Sequence, residues 1–150
     1  MAMALERQGR GDEAMRHYLK ASEIDPESAQ AHFKAGAALF NNGRLNEAIH
    51  HYAEALKINP DLAEVHNNLG AALYRQDKVK KALRHYLKAT HLNPQYAQAY
   101  NNLGAAFFST GQPKKAIECF QKAVEIKPDY ANAKQNLKKV LMQVKNSLKK

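Results

Sequence analysis

The sequence predicts an all-α solenoid of antiparallel helix pairs, on three observations. Four prolines, Pro26, Pro60, Pro94 and Pro128, stand 34 residues apart. The same interval relates two alanine columns (Ala14, Ala48, Ala82, Ala116 and Ala21, Ala55, Ala89, Ala123) and an aromatic column (Tyr18, Tyr52, Tyr86, Phe120). An aliphatic column, Ile24, Ile58, Leu92 and Ile126, lies two residues before each proline, and Gly36, Gly70 and Gly104 mark an earlier helix in each unit. A fixed period of this length is the signature of stacked helical units.

The elements follow in chain order. A half unit runs over residues 1–28, full units over 29–62, 63–96 and 97–130, and a capping helix over 131–150. Within a unit, small residues at fixed points let two helices approach, and the ring beyond them fills the space between neighbouring pairs. Gly9, Gly43 and Gly111 are placed for the left-handed turn between the helices, with Asp77 in that place in the third unit. Proline then stops the second helix, while Pro113 stands where a first helical turn accepts it. In the last helix Ala133, Leu137, Val140, Leu141, Val144 and Leu148 form one apolar stripe under a lysine-rich face, a solubilising cap.

At these residues the chain resembles the tetratricopeptide repeat family, whose pattern is small, bulky, Gly, bulky in the first helix and Ala, aromatic, Ala, Pro in the second. The resemblance covers nearly the whole chain and implies a right-handed superhelix acting as a non-catalytic protein-interaction module. The family's tryptophan column is the main departure, being held by His32, His66, Tyr100 and Lys134. The related pentatricopeptide repeats, which read RNA, have a period of about 35, against which the strict proline spacing and the alanine columns argue.

Composition bounds the rest. The 150 residues, 45% of them hydrophobic, suffice for one continuous stacked core that no single helix pair could build. No apolar run approaches the ~20 residues of a membrane span and no secretory pattern opens the sequence, so a soluble chain is expected, the cytoplasm slightly favoured and the compartment otherwise unknown. Cys119, the only cysteine, excludes an internal disulfide and reads as a helix-surface residue. Charge is uneven. Residues 1–62 carry 7 Lys and Arg against 9 Asp and Glu, whereas residues 63–150 carry 16 against 5. The bland account is a solvated outer face, and an acidic partner or anionic surface is the alternative. Nucleic acid is disfavoured, because no aromatic residues interleave the lysines to stack bases.

The first helix of each unit has a second face that ordinary solubility would fill with charge. In the third unit it carries Glu64, Asn67, Asn68, Ala71, Tyr74 and Arg75, opposite the packing stripe Val65, His66, Leu69, Gly70 and Leu73. Gln98, Asn101, Asn102, Ala105 and Phe108 continue the pattern, which begins in Gln30, Phe33, Lys34, Ala37 and Phe40. By the family resemblance this face lines a concave groove. Asn68, Asn102 and Asn136 make an amide ladder resembling that in the repeat domain of O-linked N-acetylglucosamine transferase, where such asparagines hold the backbone of an extended peptide. Phe40, Tyr74 and Phe108 add an aromatic strip. An amide both donates and accepts, which suits a peptide backbone irrespective of its side chains. A protein or peptide ligand is therefore the expected partner.

Other chemistries fit poorly. A terminal-carboxylate clamp of the kind some cochaperones use would need lysines, an arginine and two asparagines. Its five places fall on Phe33, Ala37, Asn68, Gln98 and Asn102, or one unit later on Asn67, Ala71, Asn102, Asn132 and Asn136. The column His17, His51, His85 and Cys119 cannot close a metal site, since equivalent points on stacked units lie about 10 Å apart, and no cofactor is expected. No phosphate loop, nucleophile triad or carboxylate pair points to catalysis. At the N-terminus, Met1, Met3 and Leu5 begin partway through what should be a first helix. A chain cut from a longer one, or an exposed apolar edge open to self-association into a homo-oligomer, is the expectation there.

Overall fold

The computed structural model describes residues 2–147, with side chains from Arg10 onward. It is all-helical over that span: α1 (Ala2–Ile24), α2 (Ala29–Asn41), α3 (Leu45–Ile58), α4 (Ala63–Arg75), α5 (Val79–Leu92), α6 (Ala97–Ser109), α7 (Pro113–Ile126) and α8 (Ala131–Ser147). Helices α2, α4, α6 and α8 begin at intervals of 34 residues.

Each first helix ends the same way. The residue after the C-cap turns left-handed, at Gly43 (φ 77°), Asp77 (φ 59°) and Gly111 (φ 73°). Arg44 N–H then donates to the Leu39 carbonyl, Lys78 N–H to Leu73 and Gln112 N–H to Phe107, all at 2.9 Å. This six-to-one bond closes a Schellman motif and turns the chain into the second helix. Each second helix ends where the residue before proline must be extended: Asn59, Asn93 and Lys127 have φ between −130° and −137°. The Asn59 side chain then accepts from Asp61 N–H (3.1 Å) and Asn93 from Gln95 N–H (3.0 Å), bending the chain toward the next unit.

Packing explains the small residues. Ala48, Ala55, Ala82, Ala89, Ala116 and Ala123 are wholly buried. A Cβ on Gly36, Gly70 or Gly104 would stand 2.7–2.8 Å from the Tyr52, Tyr86 or Phe120 ring, so only glycine lets the ring lie flat on the helix backbone. Each first helix packs on its own second helix, and the second helix on the next first helix. Neighbouring first helices also touch (α2 with α4, α4 with α6, α6 with α8), whereas α3, α5 and α7 do not meet one another. The first helices thus form the inner row of the curve and the second helices the outer row.

Three expectations are corrected. Gly9 makes no turn, because α1 continues through it as one helix from Ala2 to Ile24. Continuing the helix through Gly9 keeps its backbone hydrogen bonds, at a propensity cost of only about 1 kcal/mol relative to alanine. Cys119 is buried, 9% exposed, in the core cluster that also holds Leu103 and Ala106 of α6; burial pushes its thiol up to about 11. In α8, Ala133 and Val140 are buried, but Leu141 is 47% exposed and lies beside exposed Met142, one position off the buried stripe. Leu148 lies outside the described residues.

Candidate functional site: the inner groove

The inner row brings the amide and aromatic columns together, and the contacts between units obey a rule of their own. Asn102 Nδ2 donates to Asn67 Oδ1 (2.9 Å) and Asn136 Nδ2 to Asn101 Oδ1 (3.0 Å). Tyr74 Oη and Ser109 Oγ are 2.5 Å apart, and the Arg75 guanidinium lies 4.2 Å from the centre of the Phe40 ring. All four contacts join residues 35 apart, one repeat plus one position. One residue beyond the repeat is the point on the next helix that faces backward along the row.

These links divide the predicted site residues. Asn67 is 1% exposed and Asn101 8%, so they are buried acceptors that hold the row in register rather than groove lining. Asn67 Nδ2 also donates to Asn68 Oδ1 (3.2 Å). Asn68, Asn102 and Asn136 are half-buried, as are Phe40, Tyr74 and Phe108, so each keeps part of its surface accessible. A carboxamide has four hydrogen-bonding positions, and the bond to Asn67 uses only one of those on Asn102. Lys34 is exposed on the same row, its ammonium 5.6 Å from the centre of the Tyr18 ring. Exposed Arg75 is held over Phe40 by attraction between the guanidinium and the ring face.

Hollows flank the row at both ends. One of about 590 Å³ is lined by Tyr18, Lys34, Ala37 and Asn41 between α1 and α2. Another of about 730 Å³ lies between Phe108, Ser109 and Pro113 on one side and Lys139 and Gln143 of α8 on the other. Both are within the range of small-ligand clefts. Met1 lies outside the described residues, as do the side chains of Met3 and Leu5.

Sequence reasoning missed a second network, built by histidines across two of the helix pairs, α2/α3 and α4/α5. His32 Nδ1 meets His51 Nδ1 at 3.1 Å, and His66 Nδ1 meets His85 Nδ1 at 3.0 Å. His66 Nε2 faces the Pro60 carbonyl at 2.9 Å and His32 Nε2 the Pro26 carbonyl at 3.2 Å. A carbonyl only accepts, so His66 carries its proton on Nε2 and its Nδ1 accepts from His85 Nδ1–H. Burial and the neighbouring His66 depress the His85 pKa to about 4. The signal was available in two columns, His32/His66 and His51/His85, whose offset of 19 residues had only to be read across helices. Among the described residues no three His, Cys, Asp or Glu side chains converge as metal ligands.

Comparison with known proteins places this architecture. Profiles of the TPR repeat match residues 4–43, 38–77 and 72–111, and the tetratricopeptide repeat profile matches 97–130. The chain belongs to the tetratricopeptide repeat (TPR) family. Among solved structures it is similar to the MamA protein, with 31% identity over 90% of this chain and 74% of that one, TM-score 0.80. PilF of Pseudomonas aeruginosa superposes with TM-score 0.84 at 26% identity, over 97% of this chain and 67% of that one. The first TPR of Spaghetti (RPAP3), solved bound to the HSP90 peptide SRMEEVD, gives TM-score 0.76 at 26% identity over 80% and 95% of the two chains. No curated protein matches by sequence. TPR arrays are in general scaffolds for protein–protein interaction. No helix among the described residues is long and apolar enough to cross a membrane.

Proposed function

We propose that this TPR array is a non-catalytic interaction module that holds an extended peptide or partner segment in its inner groove. The reading rests on the linked asparagines. Inter-unit bonds fix Asn102 and Asn136 from behind, which leaves their remaining amide positions preorganised toward the groove. Neighbouring helices sit about 8–10 Å apart and an extended strand advances about 3.3 Å per residue, so each ladder position serves roughly every third residue of a ligand. Phe40, Tyr74 and Phe108 supply apolar contact alongside. The peptide on Spaghetti's first TPR, SRMEEVD, ends in an acidic residue, but the clamp places here are held by Phe33, Ala37, Asn68, Gln98 and Asn102. A free terminal carboxylate is therefore not the feature this groove selects.

The test is a peptide-library selection followed by titration of the selected peptide against Asn68→Ala/Asn102→Ala/Asn136→Ala and Tyr74→Ala/Phe108→Ala. Each ladder amide lost should weaken binding by about 0.5–1.5 kcal/mol, with little dependence on salt because the contacts are amide and ring rather than ionic. Unchanged affinity in a folded triple variant would refute the ladder. A steep fall with salt would favour a basic face bound to an anionic partner instead.

A further inference from the structure

On the face of α4 opposite the groove, a trough of about 540 Å³ opens between α3 and α5. It exists because the outer helices do not meet, so the space between them exposes the back of α4. Its walls are almost wholly carbon: Ile49, Ala53 and Leu56 on one side, with Leu69 and Leu73 as the floor. Its charged lining residues are Lys57, Lys81 and Lys88, without a carboxylate among them. Lys57 pairs with Glu54 (2.5 Å) and Lys88 with Asp61 (3.6 Å), both at the exposed surface where such pairs are weak. Lys81 has no acidic partner among the described residues.

One unit along, the places of Ala53, His66 and Leu73 are taken by the bulkier Leu87, Tyr100 and Phe107. His66 and His85, both lining residues of the trough, pair with each other at 3.0 Å.

We propose that this outer trough is a second binding site, for an acidic amphipathic helix of a partner protein, whose apolar ridge fills the trough while its carboxylates meet Lys57, Lys81 and Lys88. Three observations select that occupant. The lining is apolar and its charged members are all lysines, Lys81 without an acidic partner among the described residues, which calls for an apolar ligand body with acidic edges. Lys81 and Lys88 are seven residues apart on α5, two helical turns or about 10.5 Å along one face. Acids seven residues apart on a partner helix repeat that distance, whereas a single-carboxylate amphiphile such as a fatty acid reaches only one end. The trough is also open along its length, so it buries one ridge of a helix and leaves the other face in water. This site is independent of the inner groove, because it uses the opposite face of α4 and the two outer helices.

The probe is a fluorescein-labelled 18-residue helical peptide with a leucine ridge and glutamates seven residues apart, titrated by anisotropy against the full chain. A matched peptide with lysine for glutamate is the control. Ala53→Leu fills the trough with the residue the next unit carries at that place, half-exposed Leu87, and so keeps the fold. Binding should weaken at least 10-fold with Ala53→Leu, at least 5-fold with Lys81→Glu, and less than 2-fold with the groove variant Tyr74→Ala. Equal binding of the lysine peptide would overturn the proposal. So would unchanged affinity in Ala53→Leu with a native circular dichroism spectrum, or loss in Tyr74→Ala instead. Saturation by oleate with no binding of the acidic peptide would reassign the trough to a lipid and overturn the helix. Lys81→Glu, a surface change, keeps the test decisive if Ala53→Leu fails to fold.

Discussion

Replacing Gly70 with alanine separates packing from helix propensity. By propensity alone the change should help, since alanine is favoured over glycine in a helix interior by about 1 kcal/mol. The structure reverses the sign. The new Cβ would lie 2.7 Å from Tyr86 Cε1 and 2.8 Å from Cδ1, against about 3.5–4.0 Å for unstrained carbon contact. The overlap is about 0.8 Å, and the atoms met are ring carbons of a residue only 3% exposed, not the end of a flexible chain. Overpacking of this kind costs about 1–3 kcal/mol, and the rigid, buried ring places it in the upper half of that range. The net loss is about 1–2 kcal/mol. Gly11→Ala is the control: it lies in α1 with nothing within 4 Å of a built Cβ, and it should gain about 0.5–1 kcal/mol. Urea unfolding followed by far-ultraviolet circular dichroism measures both, with equal slopes required so that midpoints report stability. A Gly70→Ala chain as stable as the parent would show that the glycine column does not set the approach of α4 and α5.

Asp77 occupies the left-handed turn that glycine holds at positions 43 and 111, so Asp77→Gly should raise stability by up to about 1 kcal/mol in the same assay. Removing Asn102 by Asn102→Ala strips the buried Asn67 oxygen of its donor and should cost about 1–3 kcal/mol of stability as well as groove affinity, so binding titrations need a parallel unfolding curve. His85 is held neutral in the fold, its pKa near 4 against about 6.5 when exposed. The unfolded chain therefore binds more protons between those values; stability is full above pH 6.5 and falls as pH drops toward 4. His85→Gln should flatten that fall without abolishing it, because burial also lowers His51 and His66, and urea midpoints from pH 4 to 8 will show it. Cys119, with its thiol pushed up to about 11, should react with a chromogenic disulfide at neutral pH at least 10-fold more slowly in the folded chain than in urea.

The period, the helix pairs and the turn positions were legible in the sequence because they depend on local rules: proline cannot continue a helix, and glycine alone turns left-handed at little cost. The columns Asn68/Asn102/Asn136 and Phe40/Tyr74/Phe108 were legible for the same reason, as positions on one helical face. Their division of labour was not. Asn67 and Asn101 carry the same amide as their neighbours, and only the 35-residue contact between stacked helices makes them buried acceptors while Asn68 and Asn102 keep an open edge. The burial of Cys119 escaped for a related reason: the surface or core character of a helix position depends on which other helices pack over it. Gly9 shows the limit from the other side, since glycine permits a left-handed turn without requiring one, and α1 runs straight through it.

The sequence by itself determined the repeat, the direction of each turn and which residues share a face, because these follow from backbone chemistry within a few residues. Tertiary structure alone decided the links between units, the pairing of His66 with His85, and the lysine-rimmed trough behind α4. Those depend on the distance and rotation between helices far apart in the chain, which the packing of Tyr86 on Gly70 and its counterparts sets.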